Sequence, residues 1–411
     1  MKVAVVNFFG ITPDMPGATK HYDLVNYLGS KEDCEVEFWL SNINYHTDKR
    51  INKIPFFHAC KTIKLDDKID LKYFRTIKHR NKRVLRELGM LAFSLITSVH
   101  LSHLKDIDVI ILSMPPVNSF LTIPIKRKKI KLIADIEDLW PLFIEEGGIS
   151  NKAILKYYDI QADAIYNSSD AIEAVSLGML EYVQKKVDCS DKICWLAPLG
   201  VNLKEYDEIK AEEDFSGYEW KDDFVIMYVG AHGIANDISS VLKTVKQIED
   251  QNISIGNKKV SFVFIGDGAM KPILKAEKEE LGLQSVYFED IISSTRVPAF
   301  LKRADVCLTN LRRLDCFKLV RPNKLFQYMA AKKPIICGIW GEASDVIRES
   351  QSGICVDFTK EDLASKEIID FLNTVSESNY SENGRKYIEK EGNREIIFEE
   401  FYNKIKEVVS K

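Results

Sequence analysis

Phe224-Val-Ile-Met-Tyr-Val229 is an apolar run of strand length, Gly230-Ala-His-Gly233 is a turn behind it, and Ile238 to Ile248 spaces apolar residues as a helix does. A buried parallel strand reads as a continuous apolar run, and the crossover that follows it must be amphipathic to cover the sheet. Strand, glycine turn and helix therefore predict a βαβ unit. Downstream the pattern repeats at Val260 to Ile265, Gly266-Asp-Gly268 and a helix through Leu281, then at strands Val286 to Phe288, Val306 to Thr309 and Pro334 to Cys337. Upstream it opens the chain: Lys2-Val-Ala-Val-Val-Asn7, a loop with Gly10, Pro13, Pro16 and Gly17, and a helix from Lys20 to Leu28. Further strands are predicted at Val36 to Leu40, Val109 to Leu112, Lys131 to Asp135 and Ala171 to Val175. The fold class is α/β, two doubly wound Rossmann-like domains in tandem. The expected boundaries are 1–202 for the first domain and 203–385 for the second. The helical segment 386–411 either closes the second domain or crosses back to brace the first.

A chain of 411 residues suits two domains of this kind. The net charge of −4 supplies no reason for nucleic-acid binding. The eight cysteines include no Cys-x-x-Cys and read as reduced thiols of a cytoplasmic protein. Val3 to Val6 is too short for a signal sequence, and no apolar stretch approaches the roughly 20 residues needed to cross a bilayer. A soluble or peripheral protein is expected. Between Lys72 and Arg86 stand seven Lys and Arg with no acid, followed by the apolar stretch Leu88 to Ile96, and Lys126-Arg-Lys-Lys129 adds a second basic cluster. Residues 72–96 either dock on an anionic membrane surface or form a solvated helix with a buried apolar face.

Parallel sheets collect ligands at the carboxyl ends of their strands. Gly230 to Gly233, with Asn236 and Asp237 behind it, and Gly266-Asp-Gly268 are turns where backbone N–H groups can approach an anion, although each is also ordinary turn chemistry. Arg321-Pro-Asn-Lys-Leu-Phe-Gln-Tyr-Met-Ala330 places Asn323, Lys324 and Gln327 at the start of a short helix on the open edge of the sheet. A lysine and a helix dipole there suit a diphosphate, and Gln327 suits hydroxyls; a solvated capping turn is the plainer alternative. Neither a Walker motif nor Gly-x-Gly-x-x-Gly occurs, which removes support for an ATPase or a dinucleotide oxidoreductase.

Taken together, Tyr-Val-Gly-Ala-His-Gly233, Phe-Val-Phe-Ile-Gly-Asp-Gly268, Phe-Glu-Asp290, Phe300-Leu-Lys-Arg-Ala-Asp-Val306, the Asn323 segment and Gly341-Glu-Ala-Ser-Asp-Val-Ile347 resemble the donor half of family-four retaining glycosyltransferases of the GT-B fold. Gly17-Ala-Thr-Lys-His-Tyr22 and Asp135-Ile-Glu-Asp-Leu-Trp-Pro141 are similar to the N-acetyl-L-fucosamine transferase branch of surface-polysaccharide assembly. The resemblance implies two domains facing across a cleft and a UDP-sugar as co-substrate, with no cofactor and no metal. It implies transfer, with retention, of an N-acetylated hexosamine or deoxyhexosamine to a glycan or polyprenyl-diphosphate-linked acceptor. Lys324 would face the diphosphate, with Arg321 and Asn323 nearby, and Gly17, Gly230, His232, Gly233, Gly266 and Gly268 would line the donor. Glu289 and Asp290 would border the base, and Gln327 would approach the ribose. His21, Asp138 and Lys324 are the catalytic candidates. Leu319 and Gln327 stand where many relatives carry two glutamates, and the frequent Arg/Lys pair after the Gly230 strand is absent. A UDP-sugar 2-epimerase of the same fold and a two-lobed sugar-binding protein are the competing readings.

Overall fold

Each strand-length apolar run predicted above becomes a strand because only a sheet covered on both faces can bury it on both sides. The computed structural model describes the chain except residues 16, 18, 46, 56, 80, 81, 105, 117, 118, 147–150 and 210–212, and without the side chains of Arg83 and Glu146. It divides into two units, one of Met1–Pro198 with Glu395–Lys411, the other of Leu199–Arg394. The expected break after 202 lies a few residues earlier, and the C-terminal segment is split. The helix Tyr380–Glu391 lies in the second unit, whereas Arg394–Ser410 buries Ile397, Phe398, Phe401 and Ile405 in the core of the first.

The first unit holds β1 (Lys2–Asn7), β2 (Glu35–Ser41), β3 (Cys60–Lys64), β4 (Ile69–Phe74), β5 (Val109–Met114), β6 (Lys131–Ile136), β7 (Ala171–Ala174) and β8 (Ile193–Leu196). Their order is β3-β4-β2-β1-β5-β6-β7-β8, parallel except for β3. The chain winds outward from β1 in one direction, then returns to start again at β5. That reversal opens a crevice at the carboxyl ends of β1 and β5.

The stretch read as a basic surface is partly interior. Lys72 lies in β4 with its ammonium 2.7 Å from the Glu37 carboxylate, and Arg75 donates to the Pro55 carbonyl at 2.6 Å. Arg86 donates to the Tyr45 hydroxyl at 2.7 Å. Lys78 and Lys82 remain exposed, while Arg80 lies outside the described residues. The helix Arg83–His103 that follows is apolar on both faces. Inward, Phe93 meets Phe8 and Phe74 edge-on, and His100 meets Trp39. Outward, Val84 is 71% exposed and Val99 60%, with Leu88 and Leu95 on the same stripe. Its span Val84–His103 is long and apolar enough, by length and composition, to cross a membrane, contrary to the expectation that no apolar stretch approaches that length.

The second unit holds β9 (Phe224–Val229), β10 (Ser254–Ile255), β11 (Lys258–Ile265), β12 (Val286–Glu289), β13 (Val306–Thr309), β14 (Ile335–Cys337) and β15 (Gly353–Cys355). The main path is β10-β11-β9-β13-β14-β15, with β12 parallel to β11. Here the winding reverses between β9 and β13, so the crevice lies beyond Val229 and Thr309. Tyr328 ties these strands together: its hydroxyl donates to Leu308 O at 3.0 Å and accepts from Val229 N at 3.3 Å.

Candidate functional site

In the second unit the turns after β9 and β11 lock together. His232 N donates to Asp267 O at 2.9 Å, and Met270 N donates to His232 O at 3.0 Å. The approach is so close that a Cβ on Gly266 would lie 1.9 Å from the Gly230 carbonyl oxygen. A Cβ on Gly230 would lie 2.2 Å from Lys324 Cε, so glycine there lets the lysine lie across the turn.

Lys324 stands at the start of the helix Asn323–Ala330, which forms because Leu325, Phe326, Tyr328 and Met329 give it a buried face and Pro322 precedes its first turn. Its ammonium donates to the Tyr228 hydroxyl at 2.8 Å and to Asn236 Oδ1 at 3.2 Å, and lies 4.4 Å from the Tyr228 ring centre. No ion pair joins it to a carboxylate among the described residues. Burial lowers its pKa from the usual lysine range to about 7. A partly buried ammonium held by neutral oxygens at a sheet reversal is short of an anion.

The other expected residues are placed as follows. Arg321 Nε is 3.3 Å from the Glu342 carboxylate. Asn323 Oδ1 is buried without a hydrogen-bond partner among the described residues, and the Gln327 amide engages the Tyr206 hydroxyl. Gly233 precedes the short helical turn Ile234–Asn236. His232 is fully buried between Tyr228 and Phe288, with both ring nitrogens unpartnered among the described residues. Burial and the charges of Lys271 and Lys324 push its pKa down to about 4, so the ring is neutral near pH 7. Glu289 accepts from the Trp220 indole at 2.8 Å, while the Asp290 side chain is exposed. Lys271, which the sequence reading missed, donates to Gly266 O, Glu289 O and Asp290 Oδ1. Its one sequence signal is a cation in the first turn of a helix, where the dipole opposes it.

Gly17, His21 and Asp138 belong to the first unit. Gly17 is exposed. His21 is buried, and its neighbours determine its tautomer. Asn7 Oδ1 accepts from Phe9 N, so the Asn7 amide nitrogen faces His21 Nδ1, at 2.9 Å, and that atom must accept. His21 Nε2 then carries the proton and donates to Asp135. Both His21 nitrogens are thus engaged within the first unit, by Asn7 and by Asp135. Burial and then the neighbouring Glu137 charge raise the Asp138 pKa to about 7.

Lys20, fully buried, lies 2.9 Å from Asp135 and 3.5 Å from Glu173. Burial alone would lower the lysine pKa, but Asp135, Glu173 and Glu137 outweigh it and raise it. Burial likewise opposes charge on Asp135, yet Lys20 and His21 hold that carboxyl well below its usual range. Burial and then the Asp135 charge push the Glu173 carboxyl well above its usual range, against the pull of Lys20. His21, Asp135 and Glu137 cluster closely enough to ligate a metal ion. The Lys20 ammonium already supplies the charge such an ion would bring, and neither His21 nitrogen has a free lone pair.

Comparison with known proteins bears on the fold. Residues 210–387 match the family described as Glycosyl transferases group 1. The probable glycosyltransferase WbjE of Pseudomonas aeruginosa is 23% identical over 283 residues, 67% of this chain and 69% of that protein. Among solved structures, sucrose-phosphate synthase from Thermosynechococcus elongatus superposes with a TM-score of 0.72 at 14% identity, covering 100% of this chain and 99% of that one. Anabaena Alr3699/HepE in complex with UDP superposes with a TM-score of 0.68 at 13% identity, covering 99% and 100%. The chain thus has the GT-B fold, and its second unit, which holds Lys324, carries the match to the group 1 glycosyl transferases.

Proposed function

We propose that this protein is a retaining glycosyltransferase that takes a sugar from UDP and passes it to a glycan or polyprenyl-diphosphate-linked acceptor at the cytoplasmic membrane face. The donated sugar is an N-acetylated hexosamine or deoxyhexosamine. The observation that carries the reading is the Lys324 ammonium at the β9/β13 reversal, held by Tyr228 and Asn236 with no ion pair to a carboxylate among the described residues. Its match to the group 1 glycosyl transferases and its likeness to a UDP-bound structure support a nucleotide-sugar donor.

In this reading the diphosphate approaches Lys324 and the N–H groups around Gly230 to Gly233. Transfer releases negative charge on the departing phosphate, and a preoriented cation with helix-end dipoles stabilises it without a resident metal. The leaving phosphate takes the acceptor's proton as that hydroxyl attacks on the same face. A melting series with UDP, ADP, GDP and several UDP-sugars tests the donor: UDP compounds should raise the melting temperature at concentrations well above Kd. A protein indifferent to every nucleotide would lose the reading.

The acceptor side rests on the outward stripe Val84, Leu88, Leu95 and Val99 beside exposed Lys78 and Lys82, a pairing suited to anionic lipid. Co-sedimentation with phosphatidylcholine vesicles should require added phosphatidylglycerol and weaken with salt. Equal absence of binding to both vesicle types would remove the membrane from the proposal.

A further inference from the structure

We infer that Lys271 is a positioning residue for the nucleoside half of the donor, an assignment that rests on the function proposed above and names the group that sets its base preference. Lys271 opens the helix Lys271–Glu280 and is only 7% exposed. Its ammonium donates to Gly266 O at 2.9 Å, Glu289 O at 2.8 Å and Asp290 Oδ1 at 3.0 Å. Gly266 is the first residue beyond β11 and Glu289 the last of β12, with Ile265 and Glu289 paired in register. One cation therefore pins the ends of two neighbouring strands. The backbone tie between the same ends, Gly266 N to Glu289 O, is long at 3.4 Å, so the ammonium is the tighter clamp.

What the clamp holds has the chemistry to receive a planar base. Phe288 stacks on Phe264 at 5.4 Å and meets the His232 ring at 5.8 Å, forming an aromatic wall just before the clamped residue. Beyond it Asp290 and Ile291 are exposed, leaving backbone N–H and C=O groups to meet the donor and acceptor edge of a uracil. Such an edge discriminates bases only if it is held within a fraction of an ångström, which the clamp supplies and a free loop would not. On the other side the 266–270 turn locks to the 230–233 turn, so Lys271 fixes the base edge relative to the phosphate turns.

Two measurements test this. In the unaltered protein, UDP should slow amide exchange at 289–293 as well as at 230–233; protection that omits 289–293 would overturn the assignment. Calorimetry on Lys271→Met should show UDP affinity at least tenfold lower and the preference for UDP over ADP reduced toward parity, with Lys271→Arg recovering most of both. Affinity within twofold of the original, or equal losses for UDP and ADP with the preference intact, would leave Lys271 a structural cation only. These outcomes differ from an unaltered protein that binds no nucleotide, which would sink the proposed function itself.

Discussion

Lys20 and Lys324 occupy comparable places in two similar sheets, each beside the reversal of strand order, yet their electrostatic fates are opposite. Lys20 is surrounded by Asp135, Glu173 and Glu137, and its charged form is favoured despite complete burial. Lys324 has neutral oxygens and an aromatic ring, and burial depresses its pKa to about 7. A buried charge that brings its own counter-charges supports the fold, whereas one without them favours its neutral form until an anion approaches. The first unit closes its crevice electrostatically; the second leaves its own open.

Substitution at each lysine would test this contrast. Lys20→Met strands the Asp135 carboxylate in the core, so unfolding by denaturant should show a loss of about 3–5 kcal/mol. A loss under 1 kcal/mol would mean that the cluster is not a balanced set. Lys324→Met should leave stability unchanged or slightly improved, while UDP affinity measured by calorimetry falls about tenfold to hundredfold. Unchanged UDP affinity would make the two lysines alike and remove the phosphate assignment.

The smallest effect is in pH. In the unfolded chain Lys324 keeps its proton to about pH 10.4, so between about pH 7 and 10 the unfolded state binds more protons and this group lets stability rise with pH. A bound diphosphate restores the charged form. UDP affinity should therefore fall as pH climbs above about 7, by at most about tenfold per unit, with proton uptake visible in buffers of differing ionisation enthalpy. Lys324→Met should abolish that slope, and an identical slope in the variant would assign it to another group.

The fold was legible wherever burial makes composition uniform along a strand. β9 and β13 match their expected spans, and the Asn323–Ala330 helix begins where Pro322 and the following apolar face place it. The strands at 60–64 and 69–74 were not legible, because lysines interrupt both runs and neither is continuously apolar. In the structure β3 is an exposed edge strand, and Lys72 is neutralised by Glu37 from the adjacent β2. Lys271 was missed because two of its three partners are main-chain carbonyls, and carbonyls have no residue-type signature.

By itself the sequence determined two successions of strand, glycine turn and helix, since those follow from local spacing and from the turns that glycine permits. Only the tertiary structure decided what each charged group does. Lys20 finds Asp135 across 115 positions of chain, and Lys324 finds Tyr228 across 96. Desolvation and Coulomb energy depend on neighbours in space, and local spacing along the chain does not specify those neighbours.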